Sequence, residues 1–117
     1  MEKEIIKVID ELLGHFEAKK FYIGKTSNYK ERYDFHKQVE GYNFMWKLAR
    51  GTEQQIANLE SVLLKHYEND PKNANRNGGS AGHPGTILYM CLKVGRNLDI
   101  TEVYDEEVLA PHVIQIK

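Results

Sequence analysis

Apolar residues recur at helical spacing from the start of the chain. Ile5, Ile6, Val8, Ile9, Leu12 and Leu13 form one stripe, which predicts an amphipathic helix over residues 2–18. The pattern then shortens. "KKFYIGKT" is rich in β-formers and closed by Gly24, and it reads as a strand. Asn28 followed by Glu31 has the form of a capping box, opening a helix that runs to about Gln38. "YNFMWKLA", between Gly41 and Gly51, predicts a second strand. Thr52 is placed to cap a helix through "EQQIANLESVLLKHY", whose apolar positions are Ile56, Leu59, Val62, Leu63, Leu64 and Tyr67.

Beyond that helix, "NDPKNANRNGGSAGHPG" is a loop on any reading, and a loop this long in so small a protein is often functional. "TILYMCLKV" is apolar at nearly every position, as expected of a strand covered on both faces. The tail "NLDITEVYDEEVLAPHVIQIK" suggests a short helix and an edge strand ending at "HVIQIK". These elements predict an α+β fold: a small antiparallel sheet of three or more strands flanked by helices. The 117 residues make a single domain, 1–117, with no internal repeat.

Composition adds little until it is resolved along the chain. Hydrophobic residues at 41% and charged residues at 28% are ordinary for a globular protein. No apolar run approaches membrane-span length, and the N-terminus lacks the form of a secretion signal. One cysteine, Cys91, permits no internal disulfide and rules out most zinc sites, so the expected setting is cytoplasmic. The net charge of -1 hides segregation: residues 19–50 carry eight basic side chains against three acids, whereas residues 1–18 sum to -3. Residues 72–96 carry four basic side chains and no acid. The two basic segments either form one positive face for phosphates or interleave with acids over a solvated surface.

On the second helix Tyr29, Arg32, Tyr33 and His36 fall at i, i+3, i+4 and i+7, one continuous stripe. A core-facing stripe is normally aliphatic; this one carries a guanidinium suited to phosphate and an imidazole able to move protons near neutral pH. The alternative is two packed tyrosines beside an exposed arginine and histidine. Glu60 is a second anomaly, a carboxylate inside the apolar arc of the third helix. Burying it requires a partner, either a divalent cation or a lysine or arginine on a neighbouring element. Downstream, Asn73, Asn75, Arg76 and Asn77 offer phosphate and sugar contacts without negative charge.

"YIGKT", Arg32 ten residues beyond Tyr22, the Arg-x-x-x-His spacing, "LESVLLKHY" and the Asn/Gly loop together resemble the GIY-YIG nuclease superfamily over residues 20–82. The resemblance implies hydrolysis of DNA phosphodiesters with Mg²⁺ or Mn²⁺. It assigns Tyr22 to a place beside the nucleophile, Arg32 to the scissile phosphate, His36 to proton transfer or water orientation, and Glu60 to the single metal ligand. Asn75 or Asn73 corresponds to the family's downstream asparagine. Lys25, Lys30, Asn73, Asn75 and Arg76 are the expected nucleic-acid contacts.

The family's first half-motif, a Gly-Ile-Tyr strand central in the sheet, is missing from its usual place: "DELLGHFEAKK" reads as a helix end. Circular permutation would let residues 86–94 fill that slot, with Tyr89 replacing the missing tyrosine; the alternative is an ordinary buried strand. Ile87, Tyr89 and Cys91 then share one face, and Leu88, Met90, Leu92 and Val94 the core face. The expected function is a metal-dependent endonuclease acting on DNA, alone, as a homodimer or with a targeting protein. The competing classes are a catalytically inactive DNA-binding relative and a structural interaction protein.

Overall fold

A computed structural model of the chain describes residues 2–75, 84–94 and 114–116. Among these residues the fold is α+β. It comprises helix α1 (Glu2–His15), strand β1 (Ala18–Thr26), helix α2 (Tyr29–Asp34) with a π-helical turn (Phe35–Val39), strand β2 (Phe44–Arg50), helix α3 (Glu53–His66), and strands β3 (Ile87–Val94) and β4 (Ile114–Gln115). Helix α1 stops at His15, short of the expected end at residue 18. Glu17 takes a left-handed backbone (φ 50°), which turns the chain so that Ala18 already belongs to β1.

The sheet order is β1-β3-β2-β4. β3, the late apolar strand, is therefore central, antiparallel to both β1 and β2. β4 adds two residues parallel to β2, the edge strand anticipated at "HVIQIK". The short tail helix and Arg76 lie outside the described residues.

Side-chain alternation splits the sheet into two unlike faces. Phe21, Ile23, Phe44, Trp46, Leu88, Met90 and Leu92 point to one side, where α1 contributes Ile5, Ile9 and Leu12 and α3 contributes Ile56, Leu59, Leu63 and Leu64. Each fully buried side chain of this kind contributes about 1.5–3 kcal/mol of transfer free energy. On the opposite side, Met45, Tyr89 and Cys91 meet Tyr42 and the tyrosines of α2. β3 is buried on both faces because both layers are present.

Local chemistry fixes the helix starts. Thr52 and Gln55 form a reciprocal capping box at α3. At α2, the Glu31 N–H donates to Asn28 Oδ1 at 3.1 Å, but the second arm of the box is replaced: the Asn28 N–H donates to Thr26 Oγ1 at 2.9 Å. The residues after α3 are pinned to the outer edge of β1. The Phe21 N–H donates to the Lys72 carbonyl at 2.9 Å, and the Ala74 N–H donates back to Phe21 at 2.8 Å. That docking covers an otherwise open sheet edge.

Candidate functional site

β1 supplies Tyr22, α2 supplies Arg32, the π-helical turn supplies His36 and β3 supplies Tyr89. The fold brings these four together on the α2 face. Ring centroids lie 4.9 Å apart for Tyr22 and His36, 6.2 Å for Tyr22 and Tyr89, and 5.5 Å for His36 and Tyr89. His36 Nε2 is 3.0 Å from the Tyr89 hydroxyl. His36 Nδ1 meets the Glu40 carboxylate one helical turn on. Both His36 and Tyr89 are 1% exposed, whereas Tyr22 and Arg32 are partly open to solvent.

The glycine of "YIG" acquires a physical reason here. Gly24 pairs with Tyr89 across the sheet, and a Cβ at Gly24 would sit 2.6 Å from the Tyr89 hydroxyl and 2.7 Å from the Tyr22 ring. Only a residue without a side chain lets the two phenols lean together over the strand.

The electrostatics follow from this packing. Burial raises the Tyr22 pKa; Arg32 draws it back and Glu60 pushes it further up. Burial also raises Tyr89, with Tyr22 adding to the effect and the Arg32 hydrogen bond opposing it. Burial pulls the Arg32 guanidinium down, but its hydrogen bond to Tyr89 and the nearby Tyr22 and Glu40 outweigh that, leaving it raised. Burial lowers His36 below the ordinary imidazole value; the Glu40 hydrogen bond and charge work against the lowering and Arg32 works with it. At neutral pH the ring is uncharged and the arginine is a fixed cation.

Glu60 is placed differently. It sits 4% exposed on α3, on the aliphatic side of the sheet, and Lys25 Nζ lies 3.3 Å from its Oε1. A lysine on a neighbouring element is thus a partner of this carboxylate. Arg32 and Glu60 stand on helices covering opposite faces, and their fields meet at Tyr22 on the strand between them. In donor chemistry a lone carboxylate suits Mg²⁺ or Mn²⁺, which keep several waters and take phosphate oxygens. Here it would hold the ion in exchange for the Lys25 ammonium. Among the described residues, no three His, Cys, Asp or Glu side chains gather where they could hold a metal ion.

Of the expected nucleic-acid contacts, Lys30 is exposed on α2, and Arg76 lies outside the described residues. Lys25, Asn73 and Asn75 are turned inward. Asn75 Nδ2 donates to the Ile23 carbonyl at 2.7 Å, Asn73 Nδ2 donates to the Tyr67 carbonyl at 3.2 Å, and both residues are 3% exposed. Buried amides must be hydrogen-bonded, and these use their donors to hold the loop on β1 and on the end of α3.

A different set of cations borders the aromatic cluster. Lys20 lies over the Tyr42 ring (5.6 Å), Lys47 over Tyr29 (4.8 Å) and Lys37 over Tyr33 (4.9 Å), with Lys37 Nζ also donating to the Tyr33 hydroxyl at 3.1 Å. Lys93 approaches Gly41 on the same face. β1, β2, β3 and the π-helical turn each contribute one. Strand alternation placed Lys20, Lys47 and Lys93 in register with Tyr22 and Tyr89, a signal present in the sequence but passed over. Glu40, at i+4 from His36, was equally legible and equally missed.

No family model, no curated protein and no solved structure matches this chain. Among the described residues, no helix is long and apolar enough to cross a membrane.

Proposed function

We propose that the protein is an endonuclease of GIY-YIG type that hydrolyses DNA phosphodiesters with a divalent cation. One observation carries this reading: Tyr22, Arg32 and His36 share one face of the sheet with Tyr89, which lies 53 positions beyond His36, and the two phenols close over the glycine of "YIG". Support also comes from the central position of β3, since the permuted arrangement calls for a central strand carrying Tyr89.

In this reading the lysines at positions 20, 37, 47 and 93 lead the phosphate backbone across the α2 face. Arg32 receives the scissile phosphate and stabilises the charge gained as water adds. Tyr22, the half-open phenol, orients that water, while the closed ring of His36 and the buried Tyr89 hydroxyl stand behind it. Glu60 would hold a divalent ion on the other side of β1, where its charge reaches Tyr22 through the strand rather than the phosphate directly.

A second reading has its own observation. The Lys25–Glu60 pair neutralises the expected metal ligand, which suits a catalytically inactive module that binds DNA through the same basic face. Supercoiled plasmid incubated with Mg²⁺ or Mn²⁺ decides between them. Metal-dependent nicking abolished by both Arg32→Ala and Glu60→Ala is the expected result. Salt-sensitive DNA binding without nicking in any variant would install the binding module instead.

A further inference from the structure

The π-helical turn after α2 presents a surface outward as well as a histidine inward. Its wide closure, with the Glu40 N–H donating to the Phe35 carbonyl at 3.3 Å, accompanies a fully buried His36. Phe35 and Val39, four residues apart on the same turn, are left 39% and 70% exposed. They are two of the three large apolar side chains so exposed among the described residues, and the clusters on both faces of the sheet close without them. The Arg32 guanidinium lies over the Phe35 ring, 4.8 Å from its centroid, and the His36 ring stands edge-on to it at 5.5 Å. The border is cationic: Lys30 is exposed on α2 and Lys37 follows Phe35 on the turn. Two of the three acids of this segment are engaged elsewhere, Glu31 with Asn28 Nδ2 at 3.3 Å and Glu40 with His36.

We propose that Phe35, with Arg32 beside it, is a stacking platform for a base lying outside the double helix, so that the protein takes DNA with an unpaired nucleotide in preference to paired duplex. An exposed ring next to a guanidinium offers a nucleotide two things at once, a flat apolar surface for the base and a cation for its phosphate. A phosphate held by Arg32 has its bases one sugar away, which is the step from the guanidinium to the ring. Within a paired duplex both faces of every base are covered by its neighbours, so the ring gains nothing from it; a base out of the stack has a free face. That the phosphate at Arg32 is the one to be cut rests on the nuclease reading above. The stacking itself needs only DNA on the basic face.

The test measures binding of the intact protein by fluorescence anisotropy in EDTA, so that no cutting intervenes. Three labelled duplexes are compared: one fully paired, one with a single unpaired thymidine at its centre, and one with an abasic residue at that same place. The last two differ only in the base. Wild-type protein is expected to bind the unpaired thymidine about ten- to a hundredfold more tightly than either of the others. Phe35→Leu, which keeps an apolar side chain but no ring, binds all three alike, and Phe35→Trp keeps the preference. Loss of the base and loss of the ring therefore do not add. Equal wild-type affinity for the three duplexes, or a preference that survives Phe35→Leu, overturns the proposal. Wild-type protein that binds none of them also overturns it, and leaves the patch to an acidic protein partner. If the preference holds but neither Mg²⁺ nor Mn²⁺ yields nicking of the unpaired duplex, the nuclease reading falls alone and the stacking platform stands.

Discussion

The two faces of the sheet are built from alternate residues of the same strands, yet they are unlike in kind. One face presents Ile23, Met90 and Trp46 to two amphipathic helices and is closed by aliphatic packing, with a buried Lys25–Glu60 pair at its margin. The other presents Tyr22, Tyr89 and Met45 to a short helix that brings no buried aliphatic side chain of its own. Where the first face achieves closure by excluding water, the second does so by connecting polar groups to one another. This contrast separates the part of the molecule that pays for folding from the part equipped for chemistry.

Breaking the ion pair tests that division most severely. Lys25→Met removes a partner of a buried carboxylate and is expected to cost about 3–5 kcal/mol in a urea melt. If Glu60 can hold a divalent ion, millimolar Mg²⁺ restores more stability to this variant than to the wild type; equal response of both would remove Glu60 as a ligand. On the same face, Leu63→Ala leaves a cavity beneath β1 and β3 and should cost about 2–5 kcal/mol while leaving the α2 face assembled.

Arg32→Ala is the opposite case. The guanidinium is partly open, so the melt should hardly move, whereas nicking should fall by about 10²–10³-fold. A large stability loss with little loss of nicking would erase the distinction between the faces. Gly24→Ala sharpens it further. The added methyl cannot coexist with both phenols as placed, so Tyr22 and Tyr89 must part, and a nicking loss beyond the stability loss is expected.

The smallest effect is in pH. His36 faces Glu40 and Arg32 from its own helical segment, Tyr22 and Tyr89 from the sheet, and Tyr42 from the approach to β2. Its lowered pKa means the folded state prefers the neutral ring, so the unfolded chain takes up the proton first as pH falls. The stability from this group is complete above the ordinary value of 6.5 and declines below it, by at most about 1.4 kcal/mol per pH unit. Urea melts at pH 7.5, 6.5 and 5.5 should show a shallower decline in His36→Gln than in wild type. Parallel curves would mean that His36 is not held neutral.

Much of this architecture is legible in the residues because it depends on short-range periodicity. The stripe of α1, the Thr52 cap and arc of α3, and the unbroken apolar run of β3 each follow from what neighbouring side chains must bury. The alternation within 87–94 even separates the core face from the face carrying Tyr89. Local signals fail at the boundaries: the turn at Glu17, the π-helical widening after Asp34, and the Asn28 box whose second arm goes to Thr26.

The chain by itself determined the elements, the faces of its strands and the anomaly of a carboxylate in an apolar arc, since each is a property of residues a few positions apart. Tertiary structure decided that β3 lies between β1 and β2, that Lys25 meets Glu60, that the two asparagines turn inward, and that His36 is held between Glu40 and the Tyr89 hydroxyl. Those outcomes join residues distant in the chain; His36 and Tyr89 stand 53 positions apart. Such contacts are selected by long-range pairing and by the cost of leaving a buried donor or acceptor unmet, neither of which leaves a periodic trace.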